Sequence, residues 1–242
     1  MSTGDSLSAR TDQAVQRLGS VMLRDHTMDT LLQAVVDMTR WTLPGPLDAS
    51  ISVLVGSRPA TAAHTGQLSL DLDETQYARG HGPCLHAAVS GEEVQVDDAR
   101  TDTRWADHMA RAVASGCLSS LSVPLPMDGL RGGLNIYARE AGFFDDAIRW
   151  NAGKFARAAS VAINNMHAYQ SACEMADNLE AALGSRAVID QAKGILMERH
   201  QLTPDQAFHF LAHAAQAANV RLRDVAEHMV RTGDVLQPRG HR

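Results

Sequence analysis

From Ile148 to Ala176, apolar residues recur at alternating four- and three-residue steps: Ile148, Ala152, Phe155, Ala159, Ala162, Met166, Tyr169, Cys173 and Ala176. An α-helix lays such a series along one face, and a heptad spacing sustained over this length needs a surface to cover it. The spacing predicts a helix from about Asp146 that leaves its domain and pairs with a partner chain. Ile148 and Phe155 also suit packing against a sheet of the same domain, whereas the later residues have no such sheet to cover. Met175, Leu179 and Leu183 carry the apolar character to Gly184, where a bend or shift of register is expected.

Past Gly184 the pattern changes to three shorter helices. Val188, Ile189, Ala192, Ile195 and Leu196 form one stripe, with Arg186, Lys193 and His200 along its flank. Thr203-Pro204-Asp205-Gln206 is a helix start: a capping hydroxyl, a proline whose missing N–H costs nothing there, and a glutamine three residues on. Ala207, Phe208, Leu211, Ala214 and Ala218 supply the apolar side of this second helix. Leu222, Val225, Ala226, Met229 and Val230 give the third, which Gly233 is placed to end. Three short amphipathic helices must share a core, a requirement that many small helical domains also satisfy.

The residues themselves narrow the choice. Ala192-Lys193-Gly194-Ile195-Leu196-Met197, Ala207-Phe208 and Asn219-Val220-Arg221-Leu222-Arg223-Asp224-Val225-Ala226 resemble the ANTAR module, a bacterial antiterminator domain. The resemblance implies binding to paired RNA stem-loops in a nascent leader, which keeps a terminator hairpin from forming. It implies an RNA contact at Lys193, with Ala192 and Gly194 allowing close backbone approach and Arg186, Arg221 and Arg223 adding positive charge. Read without the family, Lys193 is equally a solvated helix lysine and Ala192 a small packing residue. The chain departs from the pattern at Ala212 and Ala215, where an arginine and a polar residue are frequent in the family. The second helix therefore lacks polar contacts that the first leads one to expect.

Charge divides along the same line. Residues before 184 carry 14 Lys/Arg against 22 Asp/Glu, and residues from 184 onward carry 8 against 6. The tail is less acidic rather than strongly basic, so RNA recognition calls for a few placed contacts and a dimer instead of bulk phosphate attraction. No signal segment opens the chain and no apolar run approaches a membrane span, which predicts a cytoplasmic protein with no membrane partner. Cys84, Cys117 and Cys173 are far apart and lack a Cys-x-x-Cys pair, so neither a disulfide framework nor a zinc site is indicated.

The first 170 residues read as mixed helix and strand. An opening helical region reaches Leu43, where Pro44-Gly45-Pro46 stops it. Ile51, Val53 and Val55 then alternate as a strand does. Leu121, Val123 and Leu125, the turn at Asp128-Gly129, and Leu134, Ile136 and Ala138 give a β-hairpin. Helical segments at 74–79, 84–89 and 106–114 interrupt the strands, as suits one antiparallel sheet flanked by helices.

Tyr77, Gly80-His81-Gly82-Pro83-Cys84-Leu85, Val94-Gln95-Val96-Asp97-Asp98, Asp102-Thr103-Arg104-Trp105, Leu121-Ser122-Val123-Pro124-Leu125 and Gly133-Leu134-Asn135-Ile136-Tyr137-Ala138 are similar to a GAF domain. With the helical tail, the chain resembles the GAF-ANTAR regulators of actinobacteria over almost all of residues 10–233. GAF folds bind small molecules or mediate dimers, so the resemblance leaves the signal open between a small molecule and a protein.

Cys84 is the candidate redox sensor, or else a buried small residue beside a tight turn. Trp105 and Arg104 either cap the sheet or support a ligand pocket. His81 and His86 flank Cys84 but make a poor metal set without further carboxylate or thiolate, and Asp97-Asp98 reads as a strand-ending turn. No nucleophile, base and orienting group fall into a recognisable pattern. The enzyme alternative is a GAF-fold thiol redox protein resembling free methionine sulfoxide reductases, with Cys84 and Cys117 as its pair. A protein-interaction scaffold without RNA binding is the third reading.

The expectation is thus an α+β chain. A GAF-like sensory domain spans 10–168, a coiled-coil-like linker 169–184, an all-α three-helix ANTAR module 185–233 and a flexible tail 234–242. It is expected to be a homodimeric, non-enzymatic antitermination regulator that binds RNA stem-loops and needs no cofactor or metal.

Overall fold

The computed structural model describes residues 3–234; the remainder of the expected tail lies outside the described residues. The chain divides into two compact units, Met1–Tyr169 and Gln170–Arg242.

The first unit is built on a five-stranded antiparallel sheet of order β2-β1-β5-β4-β3. Its strands are β1 (Leu47–Val55), β2 (Arg58–His64), β3 (Val94–Val96), β4 (Ser119–Met127) and β5 (Leu130–Ala138). The expected hairpin is β4–β5, turning at Asp128-Gly129, with Gly129 at a positive φ that suits glycine. The opening helical region is two helices, α1 (Thr3–Gly19) and α2 (Met28–Thr42). Thr27 caps α2 by accepting a hydrogen bond from the Thr30 N–H, and Thr30 returns the favour to the Thr27 N–H.

Residues alternate across each strand, so the sheet has two distinct faces. Leu47, Ala49, Ile51, Leu121, Val123, Leu125, Leu134 and Ile136 point to one, where they pack with Leu31, Val35, Phe155 and Met166 in a single apolar core. The long helix α6 (Asp146–His200) begins where the spacing predicts. Its stripe from Ile148 through Met166 is buried in this same core. The expectation that the stripe pairs with a partner chain from its start is therefore corrected: the sheet itself covers the first six of its residues. From Ser171 to Gly184 every side chain of α6 is exposed, and helical structure continues through Gly184.

On the opposite sheet face lie α3 (Gln67–Arg79), α4 (Pro83–Ser90) and α5 (Ala106–Ala114). Leu72, Val96, Met109, Ala112, Cys117 and Tyr137 make a smaller apolar cluster there. The central strands place Ser50, Ser52, Ser120, Ser122 and Asn135 on this face as well.

The second unit contains the end of α6, α7 (Pro204–Ala218) and α8 (Leu222–Thr232). Thr203 and Gln206 form the expected reciprocal cap at the start of α7, and Gly233 closes α8 in a left-handed conformation. Ala192, Leu196, Ala207, Leu211, Ala215, Val225, Ala226 and Met229 are the shared core. Phe208, expected on the packing side, is instead 42% exposed. Ala207 and Leu211 take the inward direction, and a residue about 100° round the helix from Ala207 falls on its flank.

Candidate functional site

Each unit presents one site. In the sheet-bearing unit, alternation sends Ser50, Ser52, Ser120, Ser122, Asn135 and Tyr137 to the face beneath α3 and α4, and all six are buried. Strand register sets Asn135 on the central β5 between Ser50 of β1 and Ser122 of β4. From α3, Asp73 descends onto this row with no solvent exposure. Tyr137 Oη donates to Asp73 Oδ1 at 2.5 Å, Thr61 Oγ1 donates to Oδ2 at 2.9 Å, and Asn135 Nδ2 approaches Oδ1 at 3.4 Å. Asn135 Nδ2 donates also to Ser52 Oγ at 2.8 Å, while the Tyr77 hydroxyl bonds Ser52 and Thr61.

No cation bonds to Asp73 among the described residues. Burial raises its carboxyl above the ordinary range and outweighs the hydrogen bonds from Tyr137, Ser50 and Thr61. Burial likewise raises Tyr77 and Tyr137, reinforced by the nearby Asp73. Burial thus acts on all three groups in favour of their uncharged forms. The network leaves Asn135 Oδ1 buried and without a partner in the protein, a cost unless another donor reaches it.

Cys84 lies at the start of α4 with its side chain fully buried beside this network. Its N–H donates to the side-chain oxygen of Gln76 at 2.8 Å, tying α4 to α3. Gly82 makes room for that bond, since a Cβ there would stand 2.2 Å from the same oxygen. Burial and then the Asp73 charge push the Cys84 thiol well above its usual value, so little thiolate is present at neutral pH. Cys117 is pushed up to about 12, again by burial first.

Trp105 stands apart, half-buried, with the Arg104 guanidinium 5.0 Å from its ring centroid and His86 tilted against it at 5.9 Å. These three residues, with Glu92, Glu93 and Gln95, line a surface cleft of about 390 Å³. The Asp97-Asp98 turn is held by Arg100, which pairs with Asp98 at 2.6 Å. Among the described residues, no group of three or more His, Cys, Asp or Glu is placed to hold a metal ion.

In the helical unit the six candidate residues separate by role. Ala192 is completely buried in the core. Gly194 is on the outer side of α6, where an added Cβ would meet nothing within 4 Å. Lys193 Nζ lies 3.2 Å from Asp190 Oδ1, and Arg186 Nε lies 3.9 Å from the other oxygen of the same carboxylate. Arg221 pairs with Asp224 at 3.6 Å and Arg223 with Glu227 at 2.6 Å. The cations are exposed or partly so, each with a carboxylate one turn away, which mutes but does not cancel its field. Ala215 is buried among the core residues, whereas Ala212 is partly exposed. Arg199, which sequence reasoning passed over, donates to the Gly233 carbonyl and closes the end of α8 against α6.

A five-stranded antiparallel sheet with a helical layer on each face and a polar interior under α3 and α4 defines a GAF-type fold. The family model described as GAF domain matches residues 25–164, and the chain belongs to that family. A second model, described as ANTAR domain, matches residues 177–230, so the two domains follow one another in the order expected.

Solved structures agree on the fold. Free methionine-R-sulfoxide reductase from Neisseria meningitidis, in complex with its substrate, has a TM-score of 0.55 at 16% identity, covering 70% of this chain and 95% of that one. The GAF domain of a phosphoenolpyruvate-protein phosphotransferase from Coxiella burnetii gives 0.54 at 18%, covering 70% and 99%. A GAF sensor protein from Burkholderia vietnamiensis gives 0.52 at 16%, covering 70% and 95%. No curated protein matches the chain. Among the described residues, no helix is long and apolar enough to cross a membrane.

Proposed function

We propose that the chain is a signal-responsive transcription antitermination regulator of the actinobacterial GAF-ANTAR type. Its helical module, residues 185–233, binds stem-loop RNA in nascent transcripts, and its GAF domain, residues 10–168, receives the signal. The observation that carries this reading is the ANTAR match over a three-helix unit whose surface offers Lys193, Arg186, Arg221 and Arg223. Phosphate oxygens favour such cations, and Gly194 leaves the adjacent backbone open to a nucleotide.

The signal enters at the GAF domain, as a small molecule that completes the Asp73–Asn135 network or as a protein on its surface, including the cleft at Trp105. The raised thiols of Cys84 and Cys117 favour a sensor over a thiol reductase, whose attacking group is a thiolate.

Two copies act together. In the linker, residues 169–184, Met175, Leu179 and Leu183 recur at four-residue steps along α6 and are 73%, 60% and 59% exposed. Helix pairing would bring two RNA-binding modules to paired loops. The protein is expected to work in the cytoplasm.

Titration of the full-length protein against tandem stem-loop leader RNA, scrambled RNA and duplex DNA tests the RNA assignment, with Lys193→Ala as control. Preference for the stem-loops, weakened by Lys193→Ala, is expected. Equal affinity for all three, unchanged by the substitution, would remove it. Sedimentation of Leu179→Asp tests the pairing: a dimer that dissociates supports it, and a wild-type chain that is monomeric at micromolar concentration with and without RNA refutes it.

A further inference from the structure

We infer that Phe208 and Phe210 of α7 each offer a separate ring on which an unpaired loop base of the RNA stacks, an assignment that rests on the RNA-binding reading above. The two rings are two positions apart, with His209 between them, so they project onto nearly opposite flanks of the helix. With Ala207, Leu211 and Ala215 turned into the core, neither phenylalanine can join them, and 42% and 44% of the two side chains stay exposed. His200, the last residue of α6, lies nearly parallel to the Phe210 ring, with centroids 6.4 Å apart and planes inclined by 27°. It stacks on one side of the Phe210 ring. His209 meets Phe208 edge-on at 6.2 Å.

The charges around these rings suit a polyanion. Residues 206–223 include no Asp or Glu, although the whole chain has 28, and the same stretch holds His209, His213, Arg221 and Arg223. Four of the module's cations face carboxylates: Lys193 and Arg186 share Asp190, and Arg221 and Arg223 have Asp224 and Glu227. Its excess of a single positive charge, six Lys/Arg against five Asp/Glu over residues 185–233, supplies little affinity by counterion release. Recognition of a loop then needs contacts that do not depend on charge. Exposed aromatic rings provide them, because splayed bases stack on phenylalanine and every base has a π-face. The same helix has Ala212 at a partly exposed position, so what it offers a loop is these rings with His209 and His213.

The test uses the full chain and a pool of synthetic tandem hairpins with randomised loops, from which the tightest binders of the wild type are taken. Phe208→Leu and Phe210→Leu keep an apolar side chain and remove the ring; Phe208→Tyr and Phe210→Tyr keep it. Each Leu variant is expected to bind the selected hairpins about tenfold more weakly, the loss of one stacked base. The Tyr variants should stay near wild type, and the slope of log affinity against log salt should not change.

On the same hairpins made with abasic loops, wild type and Leu variants should bind alike. Leu variants that bind the intact loops as well as wild type does, or that lose equally on intact and abasic loops while retaining the wild-type helical circular dichroism, would overturn the assignment. A fall in self-association with RNA affinity per dimer unchanged would also overturn it, giving the rings to a second copy of the chain. If the wild type selects no hairpin from the pool, the RNA-binding reading itself fails.

Discussion

The Asp190 carboxylate lies one helical turn from Lys193, at 3.2 Å from its ammonium. It also faces Arg186 on the preceding turn, so one anion serves two of the cations assigned to RNA. Asp190 is exposed, and its replacement removes no core contact. Asp190→Asn should leave thermal stability within about 0.5 kcal/mol of wild type. It should tighten RNA binding and steepen its salt dependence by about one phosphate equivalent. Binding isotherms at three salt concentrations check this; unchanged affinity and slope would mean that neither cation reaches the RNA.

Asp73 makes a different expectation testable. Its folded-state carboxyl is raised by burial, so the stability it contributes is fully present below the ordinary carboxylate value of 3.8 and is lost as pH rises through the raised one. Asp73→Asn abolishes that ionisation. Its hydroxyl partners on Tyr137 and Thr61 can rotate to accept from the new amide. The wild type should lose stability relative to this variant as pH climbs, with a slope of no more than about 1.4 kcal/mol per pH unit. Urea midpoints for both proteins between pH 5 and 8 measure the difference, and parallel curves would show that the native carboxyl is already ionised at pH 5, as the unfolded one is.

His108 acts in the opposite sense. It is buried on α5 with Nδ1 unpartnered, and burial, helped by His81 and Arg79, lowers it from 6.5 to about 4. The unfolded chain therefore takes up a proton at a pH where the native one does not. Stability is present above 6.5 and falls as pH drops towards 4, by at most about 3 kcal/mol. His108→Phe should flatten this acid limb, read as a smaller shift in melting temperature between pH 7 and pH 5.

The three thiols should separate cleanly. Cys173 is exposed, whereas Cys84 and Cys117 are buried with raised thiol values. A colorimetric disulfide reagent should titrate one thiol per native chain within minutes and the other two only on unfolding. Prompt reaction of two or three native thiols would restore a redox role for Cys84.

Local chemistry made much of this fold legible. The Thr203 cap, the Gly233 stop and the Asp128-Gly129 hairpin depend on a few adjacent residues, and each predicts its element. β2 was missed because Pro59, Ala60, Ala62 and Ala63 give it no apolar alternation; it is an edge strand, where proline costs least. The stripe from Ile148 to Met166 has one period whether its cover is a partner helix or the chain's own sheet, and periodicity cannot tell these apart. Phe208 was misplaced because the apolar arc on a helical wheel is wider than the contact a small bundle provides. The candidate site was hidden by the strands' own regularity. Serines alternating with aliphatic residues read as the wet side of a half-buried sheet, and only the packing of α3 and α4 shows that side to be interior.

That serine-and-asparagine face has an evolutionary consequence. Apolar interiors resist change because every methylene is felt by its neighbours, whereas a serine hydroxyl can be exchanged for a hydrogen or a thiol with little change of volume. Each exchange at Ser50, Ser52 or Ser122 would rewrite the order of donors and acceptors offered to whatever approaches Asn135. One scaffold can thus acquire new chemical preferences by single substitutions while its aliphatic face continues to hold the sheet together.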